Sequence, residues 1–368
     1  MENSDDQLIR NWRACNHILC IRADHMGDLL MSTPAIAALK KTFGCRITVL
    51  TSSKGEAITE LIPDIDEVIV ADLQWMQQEK DPGPEVLQQL INTINSRNFD
   101  GCVIFNVYSQ NILPAAMVAY LAGIPLRLAY CRENPYQLLS NWVPDPEPYF
   151  YIVHQVERDL DLVRMIGAVT ADKSLRINLS EDSIKAAVLK AERQQVDLYK
   201  PYIILHPGVS EKKREYPEEL WADLGRLLIS HLGLQVLLTG SAAEAALTAR
   251  IAAGIGNANA HVVAGLFNLD EFAAVIAQAE TLVAVNTGTI HLAAALAKPL
   301  VVLYAQTNPQ HSPWLVKHRL LEYSIEKEKK SKNQVIKYVN EQYYQHYVPI
   351  PSPDEILKAV QEILKAEE

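Results

Sequence analysis

The sequence predicts an α/β protein with two Rossmann-like, doubly wound parallel-sheet domains. The chain has 368 residues, which is about twice the usual length of one domain. Short apolar runs alternate with helical patterns in the first half, and the same alternation restarts at Tyr202. Such alternation is typical of parallel sheets covered by helices. We therefore expect two sheets that face each other across a cleft, with ligands bound outside the carboxyl ends of the strands.

Four apolar runs in the first half predict strands, because they are short, rich in β-branched residues and separated by helical patterns. They are HILCIR (17–22), CRITVLT (45–51), EVIVAD (67–72) and GCVIFNV (101–107). The spacing of apolar residues predicts helices from Gly27 to about Phe43 and over residues 84–98. Strands joined by helices in this way form right-handed βαβ units.

The second half follows the same pattern. Its predicted strands are YIILHPG (202–208), LQVLLTG (234–240), HVVAGL (261–266), TLVAVNTG (281–288) and PLVVLYAQT (299–307). An amphipathic helix opened by Pro217 is predicted over residues 217–232. The tail, residues 352–368, begins with a serine in the N-cap position and predicts a terminal helix.

The middle of the chain holds the expected domain boundary. A proline-rich stretch, NWVPDPEPY (141–149), precedes helical patterns around 154–167 and 181–196. We place the boundary near 170–180. The expected organisation is an N-terminal Rossmann-like domain over residues 1–175, a C-terminal one over 176–350, and a C-terminal helix over 351–368.

Composition and charge restrict the functional classes. Apolar residues make up 49% and charged residues 21%, which argues against disorder. Acidic side chains outnumber basic ones 44 to 34, a poor balance for general nucleic-acid binding. The polar start lacks the apolar core of a secretory signal, and no run reaches the ~18 apolar residues of a membrane span. Five cysteines without a CxxC pair fit reduced thiols. We expect a cytoplasmic protein that does not bind nucleic acid.

The first candidate site follows the first predicted strand, in RADHMGDLLMSTPA (22–35). Asp28 falls where this strand gives way to a helix, near backbone N–H groups that favour the charged carboxylate. An ionised carboxylate facing a bound hydroxyl can act as a general base. The alternative is that Asp24 or Asp28 only caps the helix. The segment lacks GxGxxG and is therefore not a dinucleotide fingerprint.

The second candidate site follows the first strand of the second half, in HPGVSEKKREYP (206–217). Gly208 and Ser210 suit a tight turn that brings backbone N–H groups near an anion. Lys212, Lys213 and Arg214 add three consecutive positive charges, for which a diphosphate is the obvious partner. The alternative is a solvated basic loop. The stretch LLTGSAAE (237–244), with Gly240, resembles a further phosphate or ribose turn, although alone it is a weak signal.

The third candidate site is VNTGTIHLAAALAKP (285–299). The predicted strand stops at Asn286, Thr287 and Gly288 form the turn, and a helix of small apolar residues begins. Backbone N–H groups and hydroxyls at a helix N-terminus form an anion site. His291, in the first helical turn, can reach the same anion, or it can be a packing residue. Together these features favour a phosphate site.

No metal site is predicted. The sequence DLD (159–161) matches the acidic pair that holds a divalent metal in some nucleotide-sugar enzymes, but it lies in a helical pattern in which the two carboxylates point apart. We interpret it as solvated helix surface. Histidine, cysteine and acidic residues show no other metal-ligand spacing, and GxSxG, HExxH and the Walker pattern are absent.

Three motifs occur in one order: HMGDLLMSTPAIAAL, an HPG turn with a basic cluster ending in Tyr-Pro, and NTGTIHLAAALAKPLVVLYAQTNP. This pattern resembles glycosyltransferase family nine, the heptosyltransferases of the lipopolysaccharide inner core, over roughly residues 15–315. The resemblance implies a GT-B fold and inverting, metal-independent transfer of a sugar from a nucleotide diphosphate donor, typically ADP-heptose, without a cofactor. It also implies that the N-terminal domain binds the acceptor and the C-terminal domain the donor.

The resemblance assigns roles to individual residues. Asp28 matches the family's proposed catalytic base. The implied donor-binding residues are Ser210, Lys213, Arg214, Gly240, Glu244, Asn286, Thr287, Gly288 and His291. Two departures stand out. Asn286 replaces an aspartate of the best-known heptosyltransferases, and Arg214, three residues before Pro217, replaces the usual lysine, which leaves open whether Lys213 or Arg214 contacts the diphosphate.

The resemblance leaves the acceptor open. In the family it is an anionic, phosphorylated glycolipid, which implies at most peripheral contact with the inner face of the cytoplasmic membrane. Six basic residues could form a basic face that binds this acceptor, or they could simply be solvated surface. They are Lys40, Lys41, Arg46, Lys54, Arg127 and Arg132. A soluble acceptor or another nucleotide sugar is an alternative. So are a nucleotide-sugar 2-epimerase and a catalytically silent sugar-nucleotide binding protein.

Overall fold

A computed structural model describes residues 4–76 and 83–365. The chain divides into two compact units, Met1–Arg176 and Ile177–Glu368. Each unit contains a six-stranded sheet whose paired strands all run parallel. The prediction of an α/β protein with two doubly wound parallel sheets is therefore confirmed.

The first unit has six strands among its described residues. They are β1 (His17–Ile21), β2 (Arg46–Thr51), β3 (Glu67–Val70), β4 (Gly101–Ile104), β5 (Leu126–Cys131) and β6 (Asn141–Pro144). Its helices are α1 (Ser4–Arg13), α2 (Met26–Phe43), α3 (Ser53–Thr59), α4 (Pro84–Ser96), α5 (Leu113–Leu121) and α6 (Gln155–Arg164). The strand order is β3-β2-β1-β4-β5-β6. The chain therefore changes direction across the sheet between β1 and β4.

The four predicted strands of this unit are present, but β5 and β6 were not predicted. The strand β6 lies in the stretch that we interpreted as a proline-rich connection. It is an edge strand paired only with β5, and Pro144 ends it. Proline is tolerated at such an edge because no further strand needs its missing N–H group. The proline-rich composition of this stretch therefore did not indicate the short strand at the sheet edge.

The second unit repeats the architecture. Its strands are β7 (Tyr202–His206), β8 (Gln235–Leu238), β9 (Ala260–Val262), β10 (Thr281–Val285), β11 (Leu300–Ala305) and β12 (His318–Tyr323). Its helices are α7 (Glu181–Arg193), α8 (Glu218–Leu232), α9 (Ala245–Ile255), α10 (Leu269–Gln278), α11 (Gly288–Ala295), α12 (Gln334–Tyr343) and α13 (Pro353–Lys365). The order β12-β11-β10-β7-β8-β9 places the change of direction between β7 and β10.

The terminal helix α13 is part of the second unit's core. Ile356, Val360 and Ile363 are buried in the same apolar cluster as Trp221 of α8. Ser352 and Glu355 cap the helix reciprocally, because each side chain accepts a hydrogen bond from the other residue's backbone N–H. Within residues 4–76 and 83–365, no helix has both the length and the apolar character needed to cross a bilayer.

Candidate functional site

In the first unit, three charged residues meet where β1 ends and α2 begins. The side chain of Arg22 is completely buried. Its Nε lies 3.1 Å from Oδ2 of Asp24, and its Nη2 lies 3.3 Å from Oδ1 of Asp28. The strand therefore carries a guanidinium that reaches the first turn of the following helix.

Asp28 also caps the helix on which it stands. The backbone N–H of His25, the N-cap residue, donates to Oδ2 of Asp28 at 3.2 Å. Asp28 therefore caps α2, as the capping interpretation predicted, and this contact does not test its role as a base. The Asp28 side chain keeps 16% of its surface exposed, whereas that of Asp24 keeps 8%. Asp28 is thus the more accessible carboxylate at the end of β1.

A cavity of about 230 Å³ lies beside these residues, at the carboxyl ends of β1 and β4. Its lining includes Ala23, Asp24, Trp75, Asn106, Gln110 and Ile112. The Gln110 amide donates to Asp24 Oδ1, and burial raises the pKa of the Asp24 carboxyl above its ordinary value. Sequence reasoning missed Asn106 and Gln110, since the loop after β4 carries no motif; only its position after a central strand could have indicated it.

The interpretation of residues 159–161 as solvated surface was wrong for Asp159. Its side chain is buried because α6 packs against α2. Oδ2 accepts a hydrogen bond of 2.7 Å from Ser32 on α2, and Oδ1 accepts one of 2.7 Å from Gln155. Burial raises the pKa of Asp159 to about 6. Asp161 points the other way and remains exposed.

The six basic residues suggested for the acceptor do not form a single face. Lys40 and Lys41 lie in the last turn of α2. Arg46 is the first residue of β2 and Arg127 the second of β5, so these four lie at the amino edge of the sheet. Lys40 pairs there with Asp66 at 2.7 Å. Lys54 and Arg132 follow β2 and β5 at the carboxyl edge. Only these two are on the side of the sheet where a ligand is expected.

In the second unit, the turn after β7 contacts the turn after β8. Glu244 accepts hydrogen bonds from the backbone N–H and the hydroxyl of Ser241, at 2.6 and 2.9 Å. Its carboxylate fills the space above Gly208, where any Cβ atom would overlap it, and a Cβ on Gly240 would lie 2.9 Å from Oε2. The two glycines therefore leave room for the carboxylate in this position.

The basic cluster after β7 is fixed by specific contacts. Nη1 of Arg214 donates to the backbone oxygen of Asn286 at 2.8 Å, and the Arg214 carbonyl accepts a hydrogen bond from Tyr323. Glu211 pairs with both Arg214 and Lys213, at 2.5 Å each. Ser210 is exposed. Of the two candidate cations, Arg214 is the one that the fold ties to the end of β10.

The side chain of Asn286 joins β10 to β11. Its amide nitrogen donates to the carbonyl of Ala305 at 3.2 Å and to the hydroxyl of Thr307 at 3.0 Å. Its amide oxygen accepts from the Ala305 N–H at 3.2 Å. An aspartate could only accept hydrogen bonds, so it would lose the contact with the Ala305 carbonyl, although the Thr307 hydroxyl could still donate to it. The side chain of Asn286 thus links the end of β10 to β11 by hydrogen bonds.

Thr287, Gly288 and His291 open helix α11. Thr287 is the N-cap residue in an extended conformation, and its buried Oγ1 has no hydrogen-bond partner in the described part of the chain. The first N–H groups of a helix also lack intrahelical partners. His291 is buried in the first turn, with its ring edge-on to that of His311 at 6.2 Å between centroids. Sequence reasoning did not single out His311.

His206 connects three of these segments and was also missed. Its Nδ1 lies 2.9 Å from the hydroxyl of Thr239 after β8, and its Nε2 lies 3.1 Å from that of Thr289 in α11. The ring stacks on Phe272 at 5.7 Å. Burial lowers the pKa of His206 to about 4, so the ring is neutral at pH 7. The only sequence signal was a histidine at the end of a predicted strand.

The second-unit candidate residues therefore gather where ligands of doubly wound sheets bind. Arg214 and His206 follow or end β7, and Asn286 and Thr287 follow β10, on the two sides of the change in strand direction. The described residues, 4–76 and 83–365, contain no group of three His, Cys, Asp or Glu side chains arranged to hold a metal ion. The Arg214 guanidinium and the N-terminus of α11 both contribute positive charge to this site.

Comparisons with known proteins identify the family of this chain. A family model described as glycosyltransferase family 9 (heptosyltransferase) matches residues 88–344. Lipopolysaccharide heptosyltransferase 1 of Pseudomonas aeruginosa is 38% identical over 302 residues, which cover 79% of this chain and 79% of that protein. Lipopolysaccharide heptosyltransferase 2 of Escherichia coli is 26% identical over 364 residues, covering 95% of this chain and 99% of its own.

Solved structures share the whole fold. A glycosyl transferase family 9 protein from Veillonella parvula has a TM-score of 0.77 at 18% identity, covering 95% of this chain and 98% of its own. E. coli ADP-heptose lps heptosyltransferase II has a TM-score of 0.72 at 23% identity, covering 95% and 99%. E. coli heptosyltransferase WaaC, solved with ADP-2-deoxy-2-fluoro heptose, has a TM-score of 0.67 at 17% identity, covering 94% and 99%.

These likenesses assign the two Rossmann-like units to the GT-B fold. The family model extends over more than half of the chain, and a relative at 38% identity covers more than two thirds of it. The protein therefore belongs to glycosyltransferase family 9, the heptosyltransferase family, and is a glycosyltransferase.

Proposed function

We propose that this glycosyltransferase moves a heptose from ADP-heptose to a sugar of the lipopolysaccharide inner core, with inversion and without a metal. The observation that supports the donor site is the hydrogen bond from Arg214 to the backbone oxygen of Asn286, which lies between the end of β10 and the start of α11. The names of the relatives support the sugar and the acceptor, since they are lipopolysaccharide heptosyltransferases. Membership of a glycosyltransferase family argues against the alternative of a 2-epimerase.

The proposed donor site stabilises the leaving diphosphate. The Nε of Arg214 is buried and has no hydrogen-bond partner among the described residues, so the guanidinium retains a donor for a phosphate oxygen. The Thr287 hydroxyl and the N–H groups of α11 supply further donors. Negative charge that grows on the diphosphate in the transition state is thereby stabilised. Lys213, held 2.5 Å from Glu211, supplies a second charge nearby.

The remaining donor-site residues have supporting roles in this proposal. The Glu244 carboxylate, fixed by Ser241, is placed to accept hydrogen bonds from sugar hydroxyls of the nucleotide. Gly208 and Gly240 give it room. We assign His291 to the same donor phosphate site as Thr287 and Gly288, at the start of α11. Ser210, which is exposed, lies in the turn after β7 and is assigned to the donor site as well.

The proposed reaction is a single displacement at the anomeric carbon. The acceptor hydroxyl attacks this carbon, its proton passes to the Asp28 carboxylate, and the bond to the nucleoside diphosphate breaks with its electron pair on the diphosphate. Inversion follows because the nucleophile and the leaving group occupy opposite faces of the sugar. A positioned base contributes ~10²–10⁴-fold to such a step.

We assign the cavity at the ends of β1 and β4 to a ring of the acceptor. Its volume of about 230 Å³ suits one sugar ring, and Trp75 can face the apolar side of that ring. Asp24, Asn106 and Gln110 can bind its hydroxyls. The described lining contains no lysine or arginine, which favours hydroxyls over phosphate in this cavity. A glycolipid acceptor places the reaction at the inner face of the cytoplasmic membrane, with only peripheral contact.

Calorimetric titration with ADP, UDP and GDP tests the donor assignment, first without metal and then with magnesium. The proposal predicts selective binding of ADP that does not require magnesium. Preference for UDP or GDP would be consistent with a glycosyltransferase but would contradict ADP-heptose as the donor. A strict requirement for magnesium would contradict metal independence, and absence of all binding would contradict the site around Arg214.

A further inference from the structure

The most completely buried charge in the first unit is the guanidinium of Arg22. It follows β1 directly, and its backbone N–H donates to Leu50 of β2 at 3.0 Å. No part of the side chain is exposed. Its Nη1 is buried without a hydrogen-bond partner in the described part of the chain. A buried arginine kept only for structure normally has its donors satisfied, so this one requires another explanation.

Three carboxylates surround this one cation. Asp24 and Asp28 lie 3.1 and 3.3 Å from its nitrogens, and Asp159 on α6 interacts with it electrostatically. Asp28 also faces His25, whose Nδ1 lies 4.0 Å from Oδ2. Without Arg22, Asp28 would interact with the buried Asp24 carboxylate and, as a possible cation, only with the exposed imidazole of His25. Like charges raise the pKa of a carboxyl group, so a larger fraction of the group would already carry a proton and could not accept one.

Arg22 also fixes the direction of the Asp28 carboxylate. The His25 N–H holds Oδ2, and Nη2 of Arg22 holds Oδ1. Two donors from two sides leave the carboxylate little freedom to rotate. A backbone cap alone would hold one oxygen only, which is enough for helix stability but not for a defined orientation.

We infer that Arg22 is a positioning residue for sugar transfer, which orients the Asp28 carboxylate and keeps it ionised to accept the acceptor proton. This inference rests on the proposed role of Asp28 as the base. Arg22 acts through Asp28 and is not itself assigned a contact with substrate. Lysine would keep the charge but could not reach Asp24 and Asp28 with separate nitrogens.

The test compares Arg22→Lys with the double variant Arg22→Met/Asp24→Asn, which removes one positive and one negative buried charge together. Asp24→Asn alone is its reference, and Arg127→Lys, at the amino edge of the sheet, is the matched control for an arginine-to-lysine change. Turnover is followed as ADP release from ADP-heptose with truncated lipopolysaccharide as acceptor, across pH. Calorimetry gives the Kd for ADP, and circular dichroism reports folding.

We expect the double variant to lose ~10²-fold in kcat relative to Asp24→Asn, the size of effect that a misplaced catalytic group produces. The acid limb of its pH profile should move up by about one pH unit, because the cation that favours ionised Asp28 is gone. Arg22→Lys should keep the acid limb in place and lose less turnover. The Kd for ADP should not change, since the donor site belongs to the other unit.

Equal kcat and equal acid limbs for the double variant and Asp24→Asn would overturn the inference. A loss in Arg22→Lys that Arg127→Lys matches would overturn it too, as a general cost of replacing a guanidinium by an ammonium group. Asp28→Asn, measured alongside, separates the two claims. If it loses turnover while the Arg22 variants do not, only the inference fails; if it retains turnover, the proposed base fails first.

Discussion

The guanidinium of Arg214 donates to the backbone oxygen of Asn286 at 2.8 Å. This hydrogen bond joins the loop after β7 to the end of β10, the two central strands between which the sheet order changes direction. A cation on one side and a helix N-terminus on the other are thereby brought to one point. Asn286 presents its carbonyl to the arginine while its side chain secures β11.

Arg214→Met should weaken ADP binding, because it removes the charge that we propose faces the diphosphate. Hydrogen bonds to charged groups are worth about 1.5–3 kcal/mol, so we expect an increase in Kd of ~10- to 100-fold by calorimetry. Lys213→Met is the matched control and should have the smaller effect, since only Arg214 is tied to β10. A larger effect in Lys213→Met would reverse the assignment of the two cations.

Gly208→Ala should disturb ADP binding more than folding. The new Cβ would overlap the Glu244 carboxylate, a flexible side chain that can move away, so the stability cost should be small. Displacing Glu244 should weaken nucleotide binding about as much as Glu244→Ala does. The two substitutions should then be non-additive in a double-mutant cycle. Additive effects on Kd would show that Gly208 acts independently of Glu244.

Asp159 should make the protein less stable as pH rises. Burial raises its folded-state pKa from 3.8 to about 6, so the native state holds a proton that the unfolded state has lost between these values. Stability relative to Asp159→Asn should fall through this window by on the order of 3 kcal/mol, as measured by urea unfolding. Exposed Asp161→Asn should show no such dependence. A flat difference for Asp159→Asn would mean that Asp159 is ionised throughout.

His206 should have the opposite dependence. Its folded pKa is lowered from 6.5 to about 4, so the unfolded state binds a proton that the native state does not. The stabilisation is fully present above pH 6.5 and is lost as pH falls towards 4, on the order of 3 kcal/mol. Relative to His206→Gln, the wild type should therefore lose stability on acidification. His231→Gln, at an exposed position, is the control, and equal profiles would contradict a neutral buried His206.

The sequence was sufficient to predict the strands and helices whose apolar residues form a strong pattern. The central strands β1, β4, β7 and β10 and the helix α8 have long apolar patterns, and the motifs after β1, β7 and β10 carry the proposed site. The edge strands β6 and β12 were not predicted, because short half-exposed strands have weak patterns. Strand β5, which lies inside the first sheet, was missed as well, and three of its six residues are only partly buried.

Contacts between distant residues could not be predicted from sequence. Asp159 matched a helix surface in periodicity, but α2 covers that surface. His206 looked like part of a strand, and its partners Thr239 and Thr289 are 33 and 83 residues away along the chain. Burial of polar groups depends on which elements pack together, and local sequence patterns do not contain that information.

The central claim is that Asp28 is the base of an ADP-heptose-dependent transfer. The most direct measurement is acceptor-dependent ADP release from ADP-heptose in the presence of EDTA, for the wild type and Asp28→Asn, with the Kd for ADP determined in parallel. We predict that wild-type turnover persists in EDTA, and that Asp28→Asn loses ~10²–10⁴-fold in kcat with an unchanged Kd for ADP. Turnover retained in Asp28→Asn would contradict the claim, as would equal losses of turnover and ADP binding.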